Sequence, residues 1–216
     1  MDPFDIVKLL SPELILLITG FAVIGADLAR RRNDDGRTAA IVALVGLVLA
    51  FVAVVALIVS GASEVVAWTM SVDLYALFFK ATAIIGVALV TIASIQFMNG
   101  RSRYLGEFYA LLVFAALAIS VAVSATNLIL VYIGIEFLSI TSYILAGFLR
   151  NNKRSEEAAI KYFLPAFLAL FLAGAYFGYA IFLKIALYFL ADLSSIANVQ
   201  NMWSIYHFIS FVAVTC

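Results

Sequence analysis

Cysteine occurs once in this chain, at Cys216, and histidine once, at His207. A single cysteine excludes an internal disulfide and any cysteine-built metal cluster, and a single histidine excludes a multi-histidine metal or haem site within the chain. Charge is scarce as well. Only 12% of the residues are Asp, Glu, Lys or Arg, about half the share of a water-soluble domain. Thirteen basic and thirteen acidic residues balance to a net charge of zero, which argues against a nucleic-acid partner. No phosphate-binding loop, dinucleotide fingerprint or nucleophilic constellation is present.

What fills the chain is apolar. Hydrophobic residues make up 66% of its 216 positions, and mean hydropathy is +1.14. Both values are those of a polytopic membrane protein whose solvent is the bilayer. The expected fold is all-α, a transmembrane helix bundle of at least six spans, with residues 1–216 forming a single transmembrane domain. The start of the chain, MDPFDIVKLLSPE, carries acids and no basic cluster before the first apolar run. It does not read as a cleaved signal peptide.

The spans follow from apolar length and its punctuation. They are expected at 12–29, 38–59, 74–97, 107–124, 127–150 and 159–183. Pro12 suits a first helical turn, where its missing N–H costs nothing. Arg30, Arg31, Arg32 and Arg37 follow span one, Arg101 and Arg103 follow span three, and Arg150, Lys153 and Arg154 follow span five. The loop from Ser60 to Asp73 and the turn from Ala125 to Asn127 contain no Lys or Arg. This alternation predicts an N-terminus outside and arginine-rich loops on the cytoplasmic side, most simply of a bacterial inner membrane. Asp27 is close enough in sequence to pair with the arginines after span one. Ser155 is expected to cap the sixth helix ahead of Glu156 and Glu157, and Glu157 stands four residues before Lys161 in the favourable order. Pro165 favours a kink. The segments 185–193 and 205–215 are each short for a crossing.

One residue inside this apolar pattern demands an account. Glu136 lies within span five, NLILVYIGIEFLSITSYILAGFLR, and an ionised carboxylate at the centre of a membrane helix costs on the order of 3 kcal/mol. Helical spacing puts Tyr132, Ser139 and Tyr143 on the same side as Glu136, with Leu138 and Leu145 opposite. A polar stripe of this kind must face protein or a water-filled path. It suits a group that takes up and releases a proton, although a protonated glutamate that only bonds neighbouring helices would have the same pattern. Lys80, Lys161 and Lys184 are further candidates for a polar path. Each has a plainer reading: Lys80 snorkels to the outer interface and pairs with Asp73, Lys161 pairs with Glu157, and Lys184 snorkels. The GAYFG run, Gly174 to Gly178, fits a small-xxx-small packing pattern, and His207 beside Trp203 and Tyr206 reads as an interfacial anchor.

Three blocks carry a resemblance: the span-five run with Glu136 and its YILAGF ending (Tyr143 to Phe148), the EAAIKYF helix start (Glu157 to Phe163), and DLYALFFK (Asp73 to Lys80). Together they resemble the antiporter-like membrane subunits of respiratory complex I, and within them subunit N of proton-translocating NADH:quinone oxidoreductase (subunit 2 in mitochondrial and chloroplast naming), by its N-terminal part. The resemblance covers about residues 10–164. After Leu164 the chain departs from it, with Pro165, Ala166 and Phe167 where the family has small residues, and residues 165–216 match poorly. The resemblance implies a membrane-arm subunit contributing to proton translocation coupled to quinone reduction, with Glu136 as the proton-handling group. It implies no redox centre or cofactor in this chain. Flavin and iron–sulfur clusters are expected in partner subunits, with quinone as the substrate of the complex, and the partners are other membrane-arm subunits and the lipid bilayer. It also implies that the span-five glutamate pairs with a lysine in a later, broken helix, for which Lys184 is the one candidate here. Two alternatives stay open: a subunit of a multi-subunit cation/proton antiporter, and a structural membrane subunit that pumps nothing.

Overall fold

The computed structural model describes residues 3–29, 37–61, 64–66, 69–98, 104–149 and 153–197. The chain divides into two compact units, Met1–Phe163 and Leu164–Cys216. In the first, a short helix α1 (Pro3–Leu9) precedes α2 (Ser11–Ala29) and α3 (Arg37–Val59). Strands β1 (Glu64–Val66) and β2 (Met70–Val72) follow, then α4 (Leu74–Met98), α5 (Leu105–Ser124) and α6 (Leu128–Ala146). Helix α7 (Lys153–Ala197) begins in the first unit and contributes most of its length to the second, running helical through Pro165. Six of these helices are long and apolar enough to cross a membrane. The all-α, multi-pass architecture expected from composition is the observed one.

Helix starts and ends agree with the expected spans to within two residues for α2, α3, α4 and α5. Differences occur at the joints. The segment after α3 is not plain loop: Gly61 turns the chain with φ +65°, a conformation that favours glycine. The chain then forms an antiparallel hairpin pairing Glu64 with Val72 and Val66 with Met70. Asp73 ends the hairpin and caps α4, accepting from the Ala76 N–H at 2.9 Å. The α5–α6 turn is tied to the hairpin by a bridge between Met70 and Ala125 and by the Thr126 N–H donating to the Thr69 carbonyl. Asn127 caps α6 through the Leu130 N–H at 2.8 Å. Helix α7 starts at Lys153, earlier than expected, so Ser155 lies inside it and donates instead to the Ala146 carbonyl at the end of α6. It also runs on past 183, where the sixth span was expected to end, and takes in 185–193. The arginine-rich residues 30–32, Arg101, Arg103, Arg150, Trp203, Tyr206, His207 and the segment 205–215 lie outside the described residues.

Packing centres on α5, the most buried of the six helices. It touches α2, α3, α4 and α6. Its run of Ala and Ser explains the position: small side chains let backbones approach, which is how helices associate where lipid removes the hydrophobic drive between them. Helix α3 adds one seam, Ala43, Leu47, Ala50, Val54 and Leu57, buried at alternating steps of four and three. That spacing belongs to left-handed bundle packing. Positions on its other side, such as Val45, Val48 and Val52, are exposed and suit lipid. Helix α6 meets α5 through Gly134, where an added Cβ would stand 2.8 Å from the Ala122 Cβ and 2.9 Å from its Cα. In the second unit, a Cβ added at Gly178 would meet nothing within 4 Å.

The Gly134 contact is against backbone and cannot yield. Gly134→Ala should destabilise the chain by about 1–3 kcal/mol through overpacking. At Gly25 an added Cβ meets nothing within 4 Å, so Gly25→Ala should be neutral or slightly stabilising. Equilibrium unfolding in detergent micelles compares the two, and equal losses at both positions would refute the α5–α6 contact.

Candidate functional site

Helix α6 carries Glu136 at its ninth residue of nineteen, near mid-span. The face of α6 that meets α5 is set by Gly134, Phe137, Thr141 and Leu145, and Phe148 just after the helix continues it. Gly134 and Thr141 are buried, Phe137 and Phe148 meet the rings of Phe114 and Phe108, and Leu145 packs on the core. At about 100° per residue, Tyr132, Glu136, Ser139 and Tyr143 fall roughly opposite that face. The stripe expected from the sequence therefore exists, and it points away from α5. All four of its residues are partly buried. Tyr132 lies in hydrogen-bonding reach of the Glu136 carboxylate one turn away. Ser139 donates to the Ile135 carbonyl of its own helix at 2.8 Å. Tyr143 is held edge-on by Tyr162 and Phe163 at the start of α7. Among the described residues Glu136 forms no ion pair.

The lysines separate into three situations. Lys161 pairs with Glu157 on an exposed face, as its plainer reading has it. Lys184 is exposed and lies in the second unit. Lys80 departs from its plainer reading: it is 0% exposed, and its partner is not Asp73, whose carboxylate is engaged as the α4 cap. Its Nζ lies 2.6 Å from Glu13 Oε1. Snorkelling fails because the ammonium points into the bundle, where α2, α4 and α5 meet. The same Oε1 accepts a 2.8 Å hydrogen bond from the Ser120 hydroxyl. The Lys80–Glu13 contact is an ion pair without an aligned hydrogen bond, since Nζ has no partner of good angle. Among the described residues, Glu13 Oε2 and Ser124 Oγ are also buried and without a hydrogen-bond partner.

Glu13 is the residue that sequence reasoning missed. It was counted among the N-terminal acids, although it sits inside the first apolar span. A usable signal was available. Helices α2 and α4 enter the bilayer from the same side in an alternating topology, so an acid in the first turn of α2 and a lysine in the second turn of α4 lie at similar depth. Removing one partner of such a buried pair costs about 3–5 kcal/mol, because the other charge is left stranded.

The chemistry open to this arrangement is proton exchange. Carboxylates, an ammonium and phenol and hydroxyl groups sit within apolar helices, and no cluster of metal-ligating side chains occurs among the described residues.

Residues 125–177 match the family model described as "NADH:quinone oxidoreductase/Mrp antiporter, TM". The match contains Glu136 and runs past Leu164. Curated relatives include NADH-quinone oxidoreductase subunit N of Heliobacterium modesticaldum, 33% identical over 73% of this chain and 33% of the relative. Subunit N of Dehalococcoides mccartyi is 37% identical over 72% of this chain and 32% of the relative. Among solved structures, a chain of respiratory complex I from Thermus thermophilus with bound aureothin matches with TM-score 0.61 and 27% identity, over 78% of this chain and 35% of that one. The chain thus spans about a third of the length of the relatives it matches. The resemblance to subunit N expected from the sequence is borne out by these matches.

The reassignment of Asp73 is testable on stability alone. As a cap, Asp73 should tolerate Asn, while Asp73→Ala should cost about 1 kcal/mol. Unfolding midpoints of the two variants decide the matter. An ion-pair partner of Lys80 would lose as much with Asn as with Ala.

Proposed function

We propose that this chain contributes to proton translocation as part of a membrane-arm subunit in a complex I-type NADH:quinone oxidoreductase, with Glu136 as the group that handles the proton. The observation that carries this reading is the position of Glu136: an ionisable residue at mid-span of α6, inside the stretch matched by the NADH:quinone oxidoreductase/Mrp antiporter family model. Intramembrane ionisable residues mark ion and proton paths by default, because a charge in hydrocarbon is retained only against a cost.

In this reading Glu136 takes up and releases a proton as the groups facing its stripe change during turnover. Tyr132 holds the carboxylate toward the stripe, and Tyr143, fixed by Tyr162 and Phe163, ends the stripe near the start of α7. Flavin, iron–sulfur clusters and quinone belong to partner subunits and to the complex as a whole; this chain supplies proton handling and helix contacts. The N-terminus lies outside, with the arginine-rich loops on the cytoplasmic side of a bacterial inner membrane.

The family description names the Mrp antiporters too, and this supports a second reading, a subunit of a multi-subunit cation/proton antiporter. Co-purification separates the two: redox subunits accompany the chain in the first case and do not in the second.

Glu136→Gln keeps the side-chain shape and removes the titrating group. In the assembled complex, reconstituted in vesicles, it should lower donor-driven proton pumping by about tenfold or more, the scale on which a single positioned proton-transfer group acts. Pumping equal to that of the unaltered complex would rule the role out.

A further inference from the structure

The buried hydroxyls of this bundle share one habit. Thr19, Thr91, Ser94 and Thr141 each donate to a carbonyl of their own helix. That is how a hydroxyl satisfies itself where lipid accepts nothing. Ser120 breaks the habit and donates across the bundle to Glu13 Oε1 at 2.8 Å. One turn further along α5, Ser124 is buried with no partner for its hydroxyl among the described residues, as is Glu13 Oε2. Lys80 Nζ touches Glu13 Oε1 at 2.6 Å and has protons to spare. Buried polar atoms that lack protein partners are the ones that internal water serves, typically with about three bonds each.

Lys8 on α1 is exposed, and the charges on α2 to α6 lie away from this cluster or are engaged elsewhere. On α2 the other acid, Asp27, lies near the opposite end, and the one charge on α3, Arg37, is at its start, also the opposite end. On α4, Asp73 is engaged as the cap. On α5, Glu107 and Tyr109 lie in the first turns, away from Ser120. Glu136 is on the face of α6 turned from α5. Stability does not account for the pair, since replacing both members of a buried ion pair by apolar groups is often neutral or stabilising.

The geometry points to a second intramembrane proton site, formed by Glu13 and Lys80, with Ser120 as its positioning residue. Its ligand is a proton carried by water. Ser124 extends the site toward the end of α5 that the β1–β2 hairpin covers through Ala125 and Thr126. Transfer balances without any further reactant: a proton passing from the Lys80 ammonium to the Glu13 carboxylate leaves a neutral amine and a neutral acid. The amine then takes a proton from water, the acid returns one, and the ion pair is restored. This inference rests on the reading of the chain as part of a proton-translocating subunit, and it does not require Glu136 to act as proposed.

The test uses the assembled complex in vesicles, comparing protons pumped per electron for Glu13→Gln/Lys80→Met, Ser120→Ala and Glu136→Gln. The double variant removes both charges together and so strands neither. The site predicts normal assembly with a several-fold loss of pumping for the double variant. Assembly and pumping both at the unaltered level would overturn it and leave a structural ion pair. Ser120→Ala keeps the charges and the fold, so it decides the matter even if the double variant does not assemble. The site predicts a shifted pH profile of pumping, whereas an unmoved profile contradicts it. Loss in Glu136→Gln with none in the other two variants would sink this site and spare the proposed function. Loss in these two with none in Glu136→Gln would do the reverse for the role of Glu136.

Discussion

Hydrocarbon solvates no charge and accepts no hydrogen bond, and the arrangement of this chain depends on that constraint. It dictates helices for every crossing and sends buried hydroxyls back to their own carbonyls, as at Thr91 and Thr141. It also places Lys80 against Glu13 rather than against lipid. Because apolar side chains gain nothing by leaving lipid for one another, association falls to close packing. Ala122 against Gly134 and the Ala-rich seam of α3 supply it. Polar placement and tight packing are therefore one problem here, and α5, which carries both the small residues and Ser120, is where the two meet.

Two polar loci result, and they differ in character. Glu13 and Lys80 are locked inside the bundle among α2, α4 and α5, with their charges facing each other. Glu136 is partly buried, one turn from a phenol on its own helix, and turned away from α5. A locked pair holds its charges in one geometry, whereas a partly covered carboxylate can change partners.

Much of this was legible in the sequence. The spans from α2 to α5 followed from apolar length, because in a membrane the hydrophobic run and the helix nearly coincide. The stripe of Tyr132, Glu136, Ser139 and Tyr143 followed from helical period alone. The Glu157–Lys161 pair was legible because it is local. Glu13 and Lys80 were not, since 67 residues separate them in sequence and no local rule joins an acid on one helix to a base on another. The hairpin escaped for a related reason: three-residue strands are too short to show a period. The direction of the polar stripe also required the structure, because periodicity gives the relative positions of residues on a helix and not the neighbour that each face meets.

The central claim is that a carboxylate inside this membrane bundle changes its protonation during turnover. Infrared difference spectroscopy of the assembled complex, recorded as the electron donor is added, tests it most directly. The account predicts a carbonyl band of protonated carboxylic acid that changes with turnover, shifts in heavy water, and loses its Glu136 component in Glu136→Gln. A difference spectrum with no such band, or one that Glu136→Gln leaves intact, would contradict it.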